Sequence, residues 1–450
     1  MTRHRSTRRA ALALAAALLA LLAVQAQAAG ITLPEARAAA AANLDVTIAT
    51  RGLAAAQADI AAADHAPLPQ LTAKLSQIDL QNGIGGGNLL TQRRIDKSVG
   101  LDWTWERGDK RGLRTEAARR SAQAAAADVD EIRVQQQLAT AGAFFDLLAA
   151  QGRIEELALI ERSALQTADI ARKRLNAGDV AAQDAARAAI EAERVQADGA
   201  SAQLDLQRAR LVLAQLTGRE ADAASLSASG DWPAADAGGA SSAGAGPAVD
   251  ALVDRRADVR AAAERVRAAE SALQGSSAQR QSDITWGASF DHYPGTSTRL
   301  LEFRLSMPLA FGYKYEGEIG RSQAQLDQAR DTLDKTRRAA AAELQRLQAE
   351  LQTANQRALR YDGEIVPRSR EVAQRAELAY SKGALPLTDL LDARRTLRAV
   401  LLDALAARSD RAKAQAAWQL RGTNGTNGTN GTNGTGAALT ATPTTPSANR

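Results

Sequence analysis

The sequence predicts a mainly α-helical protein with a small membrane β part, and three observations support this prediction. Long alanine-rich helical stretches are interrupted twice by a pair of short strands, near residues 71–80 and 97–105 and again near 283–293 and 300–309. Nine of the fifteen Phe, Trp and Tyr residues lie in or beside these strands. The complete pattern occurs twice, which indicates two internal repeats. Short alternating strands with clustered aromatics are typical of a transmembrane β-barrel, whereas long helices rich in Ala, Gln and Arg suit a water-exposed tube.

Residues 1–29 have the features of a secretory signal peptide. Four arginines precede an apolar run over residues 10–24, and the small residues Ala26 and Ala28 suit a cleavage site. The run is about 15 residues long, shorter than the ~20 that a membrane-spanning helix needs, and an uncleaved anchor is the alternative. The segment predicts export.

Charge and composition argue against several classes of function. Of the 56 Lys and Arg residues, four lie in residues 1–29, so 52 remain against 51 Asp and Glu residues, and nucleic-acid binding is not indicated. The absence of cysteine excludes disulfides, thiolate metal sites and a lipid anchor on an N-terminal cysteine. Outside the signal, no apolar run approaches the length of a membrane-spanning helix.

The first repeat is predicted to span residues 30–220. A helix over residues 33–64 begins with Pro34 in its first turn, a position that suits proline. A β-hairpin over residues 71–105 follows, with a glycine-rich loop at 83–87. In its second strand apolar and polar residues alternate, as expected when one face meets lipid and the other meets water.

A very long helix over residues 115–175 comes next, and it would extend roughly 90 Å at ~1.5 Å per residue. A turn near Gly178 and a return helix ending at residue 216 complete the repeat. Residues 221–248 form a linker rich in Ala, Ser, Gly and Pro, in which Trp232 suggests one anchored point.

The second repeat, residues 249–422, follows the same order. It has a helix, a β-hairpin over residues 283–309, a long helix bent or broken near Pro367, a turn near Gly383 and a return helix. Gly178 and Gly383 are separated by the same 205 residues as Gly112 and Gly317. Residues 423–450 contain tandem Thr-Asn-Gly units, which predict a disordered low-complexity tail rather than glycosylation sites.

Four strands cannot close a barrel, and an open sheet in lipid would leave backbone groups unpaired at its edges. The strands must therefore close with strands from other copies, and two or three chains are the simple solutions. The two short helices of a repeat together match the length of its long helix, so two repeats would form a layer of four helical tracks. An elongated coiled-coil stalk is the alternative, but it leaves the strands unexplained.

Three segments carry a family resemblance: ITLPEARAAAAANLDV (31–46), RKRLNAGDVAAQDAARA (172–188) and, most specifically, AYSKGALPLTDLLDARRTL (379–397). In this order, with both hairpins, they resemble the TolC-like outer-membrane efflux proteins. The strand-to-helix junctions ERGDKRGLRTEAA (106–118) and MPLAFGYKYEGEIGRSQAQ (307–325) resemble those of the CzcC-like, cobalt-zinc-cadmium branch.

This resemblance implies a homotrimer with a 12-stranded barrel in the outer membrane and a helical tunnel through the periplasm. Its partners would be a periplasmic adaptor protein, an inner-membrane pump of the resistance-nodulation-division class and outer-membrane lipid. The function implied is a passive export duct for heavy-metal cations, with drug efflux or type I secretion as alternatives and a periplasmic adaptor or scaffold as a less favoured one. No cofactor and no catalysis are expected, because the sequence has no P-loop, nucleophile elbow or HExxH motif.

Asp389 and Asp392 are the first candidate site residues. They lie three residues apart on the helix after Gly383 and so share a face. The resemblance implies that they line a constricted periplasmic entrance, where rings of carboxylates favour cations. The alternative is that both acids simply favour the positive N-terminus of their helix.

The two turns and the aromatic residues of the strands are the other candidates. The resemblance implies that the turns contact the adaptor, although an ordinary helix-turn-helix corner would also explain their glycines. The candidate contact residues are Arg174, Asn176, Gly178, Asp179, Val180, Lys382, Gly383, Ala384 and Leu385. The aromatic residues are expected to face lipid or to form interface girdles, with a soluble β-domain core as the alternative. The aromatic candidates are Trp103, Trp105, Trp286, Phe290 and Phe303.

Overall fold

The computed structural model describes residues 30–77, 81, 95–234, 247–293, 297–309 and 311–423. Several predicted features lie outside these residues: the signal peptide (1–29), the glycine-rich loop (83–87), part of the linker (235–246) and the tail from residue 424 onward.

The first repeat contains most of the predicted elements. Its helices and strands are β1 (Gly30–Ile31), α1 (Leu33–Ala40), α2 (Leu44–Ala63), β2 (Gln70–Ser76), β3 (Asp96–Trp105), α3 (Lys110–Asn176) and α4 (Ala182–Thr217). A 3-10 turn (Glu220–Ser225) and the short strand β4 (Ser227–Ala228) follow, and β4 pairs in parallel with β1.

The second repeat has the same order of elements. Its helices and strands are α5 (Pro247–Arg255), α6 (Ala257–Ala278), β5 (Ile284–Tyr293), β6 (Ser297–Ser306), α7 (Glu316–Arg360), α8 (Val366–Ser381) and α9 (Leu387–Trp418). Single π-helical turns lie between α7 and α8 (Tyr361–Ile365) and after α9 (Gln419–Thr423).

The helix expected over residues 33–64 is divided into α1 and α2. The side chain of Asn43 accepts a hydrogen bond from the Asp45 amide at 3.0 Å and so caps a new helix. Its amide nitrogen also donates to the Leu216 carbonyl at 3.1 Å, which ties this junction to the end of α4. The second repeat is divided at the corresponding place, where Arg256 separates α5 from α6.

The long helix of the second repeat changes form just before Pro367, as the sequence predicts. Its π-helical turn, Tyr361–Ile365, directly precedes the helical turn that contains the proline. A proline ring has no N–H and clashes with the carbonyl four residues earlier, and a wider turn at that place relieves the clash.

The four long strands form one antiparallel sheet in the order β2-β3-β5-β6. The central pair, β3 and β5, joins the two repeats, with Trp103 opposite Trp286 and Leu101 opposite Ala288. β2 and β6 each have one neighbour and form the two edges of the sheet.

The helices form four adjacent tracks. α3 contacts α2 and α4, which follow one another along its length, and also contacts α6 and α9. α7 packs against α6 and α9, and α8 continues that track against α9. The order is therefore α2/α4, then α3, then α6/α9, then α7/α8, which agrees with the predicted layer. In the described part of the chain, no helix is both long enough and apolar enough to cross a membrane.

The largest buried cluster lies halfway along α3. Phe144, Phe145 and Leu147 pack there with Leu213 of α4 and with residues of the β1/β4 pair. The indole ring of Trp232 stacks on Phe145, with ring centroids 6.2 Å apart and an interplanar angle of 20°. The linker is thus anchored to the core at the residue that the sequence suggested.

Candidate functional site

Both helical hairpins end in the same kind of turn. Gly178 has a φ of 82° and Gly383 a φ of 73°, so both lie in the left-handed region that favours glycine. In each turn the amide of the residue after the glycine donates to a carbonyl five residues earlier. Asp179 donates to Arg174 at 2.9 Å, and Ala384 donates to Ala379 at 2.8 Å. This backbone bond is the hallmark of a Schellman cap, so each glycine terminates its long helix.

The two hairpins contact each other just above these turns. The guanidinium carbon of Arg174 lies 4.7 Å from the centroid of the Tyr380 ring, within the range of a cation–π interaction. Tyr380 is buried together with Leu387 and Leu390 of α9 and with Ala171 of α3. The ends of the first and second repeats are therefore packed into one tip.

Most of the predicted turn residues are exposed at this tip. Asn176, Gly178, Asp179, Lys382, Gly383 and Ala384 are exposed, whereas Arg174, Val180 and Leu385 are half-buried. Arg174 contacts Tyr380, and Leu385 packs against the buried cluster of the tip, so each has a role within the chain besides any contact with a partner.

Asp389 and Asp392 lie in the first two turns of α9 and are both exposed. Leu387, Leu390 and Leu391 are buried on the opposite side of the helix, which fixes the rotation of α9 and directs both carboxylates away from the chain's own core. The Thr388 hydroxyl lies 3.3 Å from an Asp389 oxygen. Within the described ranges, no group of three or more His, Asp or Glu residues is arranged to hold a metal ion.

The corresponding acid of the first repeat has a different environment. Asp184 lies in the first turn of α4 and forms a 3.8 Å ion pair with Arg187 on the same helix. The two turns therefore share their backbone geometry but differ in the surroundings of the acid that follows them.

Arginines of α9 link the two hairpins by hydrogen bonds and ion pairs close to the tip. Arg394 donates to Glu377 of α8 at 2.8 Å and to the Ser163 carbonyl of α3 at 3.0 Å. Arg395 pairs with the buried carboxylate of Glu191 on α4 at 2.8 Å. Sequence reasoning missed these contacts. The adjacent basic residues after Asp392 were a visible signal, but the sequence does not tell which helix faces them.

The β-sheet has one apolar and one polar face. Cross-strand register places the large apolar side chains of the four strands, except Leu300, on the same face. They are exposed in the single chain: Trp103 by 62%, Trp286 by 56% and Phe303 by 77%. Trp105 and Phe290, the other two aromatic candidates, lie on this face as well. The five predicted aromatic residues thus share one exposed surface.

The opposite face of the sheet carries charges and hydroxyl groups. Arg304 of β6 donates to Asp102 of β3 at 2.5 Å across the intervening strand. The hydroxyls of Thr104 and Thr285 lie 2.9 Å apart. A sheet that exposes an apolar layer on one side and ion pairs on the other suits lipid outside and water inside.

Comparisons with known proteins agree with this architecture. The family model described as "Outer membrane efflux protein" matches residues 35–219 and 248–421, which correspond to the two repeats. No curated protein matches the chain.

Solved structures share the fold. CusC, whose structures concern transmembrane channel formation, has a TM-score of 0.71 at 18% identity, covering 88% of this chain and 92% of that chain. A membrane protein from Pseudomonas aeruginosa has a TM-score of 0.74 at 18% identity, covering 86% and 92%. The outer membrane protein VceC from Vibrio cholerae has a TM-score of 0.70 at 18% identity, covering 86% and 95%.

Proposed function

Because this chain belongs to the outer membrane efflux protein family, we propose that three copies of it form a passive duct through the outer membrane and the periplasm. The observation that carries the proposal is the exposed apolar face of a sheet whose two edges are unpaired, set at one end of a four-track helical layer. Among the described residues, neither the sheet nor the helical layer closes on itself.

Strand pairing supports closure by three copies. β2 and β6 each leave a row of backbone N–H and C=O groups without a partner strand in the described chain, which lipid would not tolerate. Pairing β6 of one copy with β2 of the next removes every edge. Three copies then give a barrel of about 12 strands, an even number within the range of outer-membrane barrels.

The helical layer also has two open sides. One is formed by the first repeat and the other by the second, as are the two edges of the sheet. Most of the exposed large apolar side chains of the helical part lie on the outermost tracks: Leu44, Ile48, Ile190, Leu204, Leu211 and Val212 on α2/α4, and Leu359, Ile365, Val372 and Leu378 on α7/α8. The central helices α6 and α9, which the structure describes completely, expose no large apolar side chain. Contact between the outermost tracks of neighbouring copies would bury these side chains and close a tube.

The tip of this tube is the periplasmic entrance in the proposed assembly. Three copies place six carboxylates, from Asp389 and Asp392, around one axis. A ring of carboxylates attracts cations and repels anions. The exposed turn residues at the same end, including Lys382, Asp179 and Asn176, are the proposed contacts for a periplasmic adaptor that links the duct to an inner-membrane pump.

Heavy-metal cations are the proposed cargo and a resistance-nodulation-division pump the proposed partner. This assignment rests on the acidic entrance and on the two strand-to-helix junctions that resemble the cobalt-zinc-cadmium branch. Export of drugs and type I secretion of proteins are the competing cargoes, because a wide duct need not recognise what passes through it.

A growth assay tests the proposal. A strain lacking this gene is challenged with zinc, cobalt, cadmium, copper and a panel of drugs, and is complemented with the wild type, with D389N/D392N, or with D331N. Asp331 is an exposed carboxylate of α7, and D331N serves as a control for the loss of one surface carboxylate elsewhere in the chain. Metal resistance that the wild type and D331N restore fully, and D389N/D392N restores incompletely, supports metal export. Drug-selective sensitivity would retain the duct and reject the metal cargo.

A further inference from the structure

The apolar alternation of β6 continues in the sequence beyond the end of the strand. On β6 this face carries Leu301, Phe303 and Leu305. Met307, Leu309 and Phe311 continue the same two-residue spacing after β6 has ended at Ser306, and all three are exposed. Phe311 is 86% exposed, more than any other large apolar side chain in the described part of the chain.

The strands alone supply too short a band for a membrane. The apolar rows run from the level of Val99 and Phe290 to the level of Trp105 and Ile284, three steps of two residues each. At ~3.3 Å per residue and a tilt of about 40°, three steps span roughly 15 Å along the membrane normal, whereas the apolar band of an outer-membrane barrel is ~25 Å tall. On the two central strands the band is not extended in the other direction, because the next row holds Lys97 opposite His292; Leu75 of β2 is the apolar member of that row.

Residues after β6 can supply the missing height. Met307 is level with Trp105, so Leu309 and Phe311, two and four residues later in the sequence, follow the last row of the strands on the side of the helices. A straight chain would extend the band by about 10 Å over these four residues, which is the upper limit of their contribution. The Phe311 amide donates to the Leu309 carbonyl at 3.1 Å, so the chain turns at this depth instead of continuing straight.

The chemistry of the following residues suits a membrane interface. The rings of Tyr313 and Tyr315 lie 5.7 Å apart, and the Tyr313 hydroxyl donates to Glu318. Lys314 lies between them, and its carbonyl accepts a hydrogen bond from Arg280 at 3.2 Å. Aromatic rings with polar tips beside cationic side chains are typical of the headgroup level of a bilayer.

We propose that residues 307–309 and 311–315 form an interfacial anchor in the periplasmic leaflet of the outer membrane. Leu309 and Phe311 insert among the acyl chains of phospholipids, and Tyr313 and Lys314 lie at the level of their phosphates. The inference rests on the proposed function, because it takes the apolar face of the sheet to be the lipid face. The rival occupant of this surface is a second copy of the chain, since Leu68, beside the start of β2, is also exposed and would lie close to the end of a neighbouring β6.

The complete absence of cysteine makes the anchor testable by site-directed labelling. The full chain is prepared as F311C, F303C and T396C, each labelled with an environment-sensitive fluorophore and reconstituted into phospholipid vesicles. Phe303 lies at mid-sheet on the same face, and Thr396 is exposed on α9, far along the helical part. Nitroxides at the 5-position or the 12-position of the lipid chain, and aqueous iodide, are the quenchers.

The anchor predicts a depth order. F311C is quenched at least twofold more by the 5-nitroxide than by the 12-nitroxide, F303C shows the opposite preference, and only iodide quenches T396C. Two results would reject the anchor and leave the proposed duct unaffected. In both, F303C responds to the lipid quenchers, while F311C either responds only to iodide or is shielded from all three quenchers by a second copy. If lipid quenchers reach neither F303C nor F311C, the sheet does not face lipid and the proposed function fails as well.

Discussion

Single glycines set the two corners on which the tip is built. Gly178 and Gly383 both have positive φ, and an added methyl group at either would meet no neighbour among the described residues. Replacement by alanine therefore introduces backbone strain without a steric clash. The sequence predicted both turns because a glycine at this offset recurs in each repeat, and the reason is local backbone sterics.

We expect G383A and G178A each to destabilise the protein by about 1–2 kcal/mol, the penalty of a left-handed alanine. The matched control is G320A in α7, where glycine is helical and an added methyl group also meets open space among the described residues. The control should gain about 0.5–1 kcal/mol, because alanine is the better helix former. Thermal unfolding of the solubilised full chain measures all three, and equal shifts for the turn and control variants would contradict the explanation.

The ion pairs of the buried Arg256 guanidinium could not be predicted from the sequence. Arg256 donates to both oxygens of Asp258 and, at 2.7 Å, to Glu343 of α7. Burial raises the pKa of the Asp258 carboxyl, but the hydrogen bonds and charge of Arg256 outweigh burial and lower that pKa below its ordinary value. Arg256 and Asp258 are neighbours in the sequence, whereas Glu343 lies on a helix about ninety residues later in the chain.

This lowered pKa predicts a pH dependence. A carboxyl whose folded pKa is depressed stabilises the fold above its unfolded pKa, and that stability is lost as pH falls through the folded value. The melting temperature of D258N should therefore lie below that of the wild type at pH 7, and the difference should shrink below about pH 4. D331N, which removes an exposed carboxylate, should follow the wild type throughout. A D258N deficit that is constant from pH 7 to pH 3 would show that the charge of Asp258 is not the cause.

At the scale of elements, periodicity predicted the strands and the long helices but missed the division between α1 and α2. The alternation in β3 and β5 is a local signal that survives in the structure, since each strand keeps one face apolar. The helix break depends on Asn43, which is a moderate helix former in isolation and becomes a cap because the Leu216 carbonyl is within its reach. The boundary between α1 and α2 therefore depends on a contact with a residue that is distant in the sequence.

Loss of this cap has a defined cost. We expect N43A to destabilise the protein by about 1–2 kcal/mol, because the Asp45 amide loses its acceptor and the Leu216 carbonyl loses its donor. N43D keeps the cap acceptor and loses only the donor, so its cost should be smaller. Unfolding by denaturant, with urea midpoints compared at constant slope, separates the two variants. A loss for N43D nearly as large as that for N43A would mean that the bond to Leu216 matters more than the cap.

At the scale of the whole molecule, the proposed entrance is a feature of the proposed assembly. The structure brings Asp389 and Asp392 to one exposed face of α9, but only copies around an axis turn two carboxylates into a ring. In planar bilayers we expect the cation-to-anion permeability ratio of D389N/D392N to fall by about threefold or more, because a charged constriction governs selectivity. Unitary conductance in symmetric salt and reversal potential in a salt gradient measure the effect. A ratio unchanged from that of D331N would place the selectivity elsewhere in the duct.

Closure of the helical layer is the property that sequence alone left open between two and three copies, because it depends on surfaces that no single chain buries. Leu204 and Leu211 are exposed on α4, an outermost track, whereas Leu159 is similarly exposed on the central α3. Burial of a leucine against a neighbour contributes roughly 1 kcal/mol or more per side chain, so L204S/L211S should weaken each interface by about 2 kcal/mol. When both are diluted in detergent, the oligomer of this variant should dissociate at a higher protein concentration than the wild-type oligomer, and that of L159S should not. Light scattering coupled to size exclusion gives the mass of each species. Dissociation by L159S with an intact L204S/L211S oligomer would mean that α3, and not α4, lies at the interface between copies.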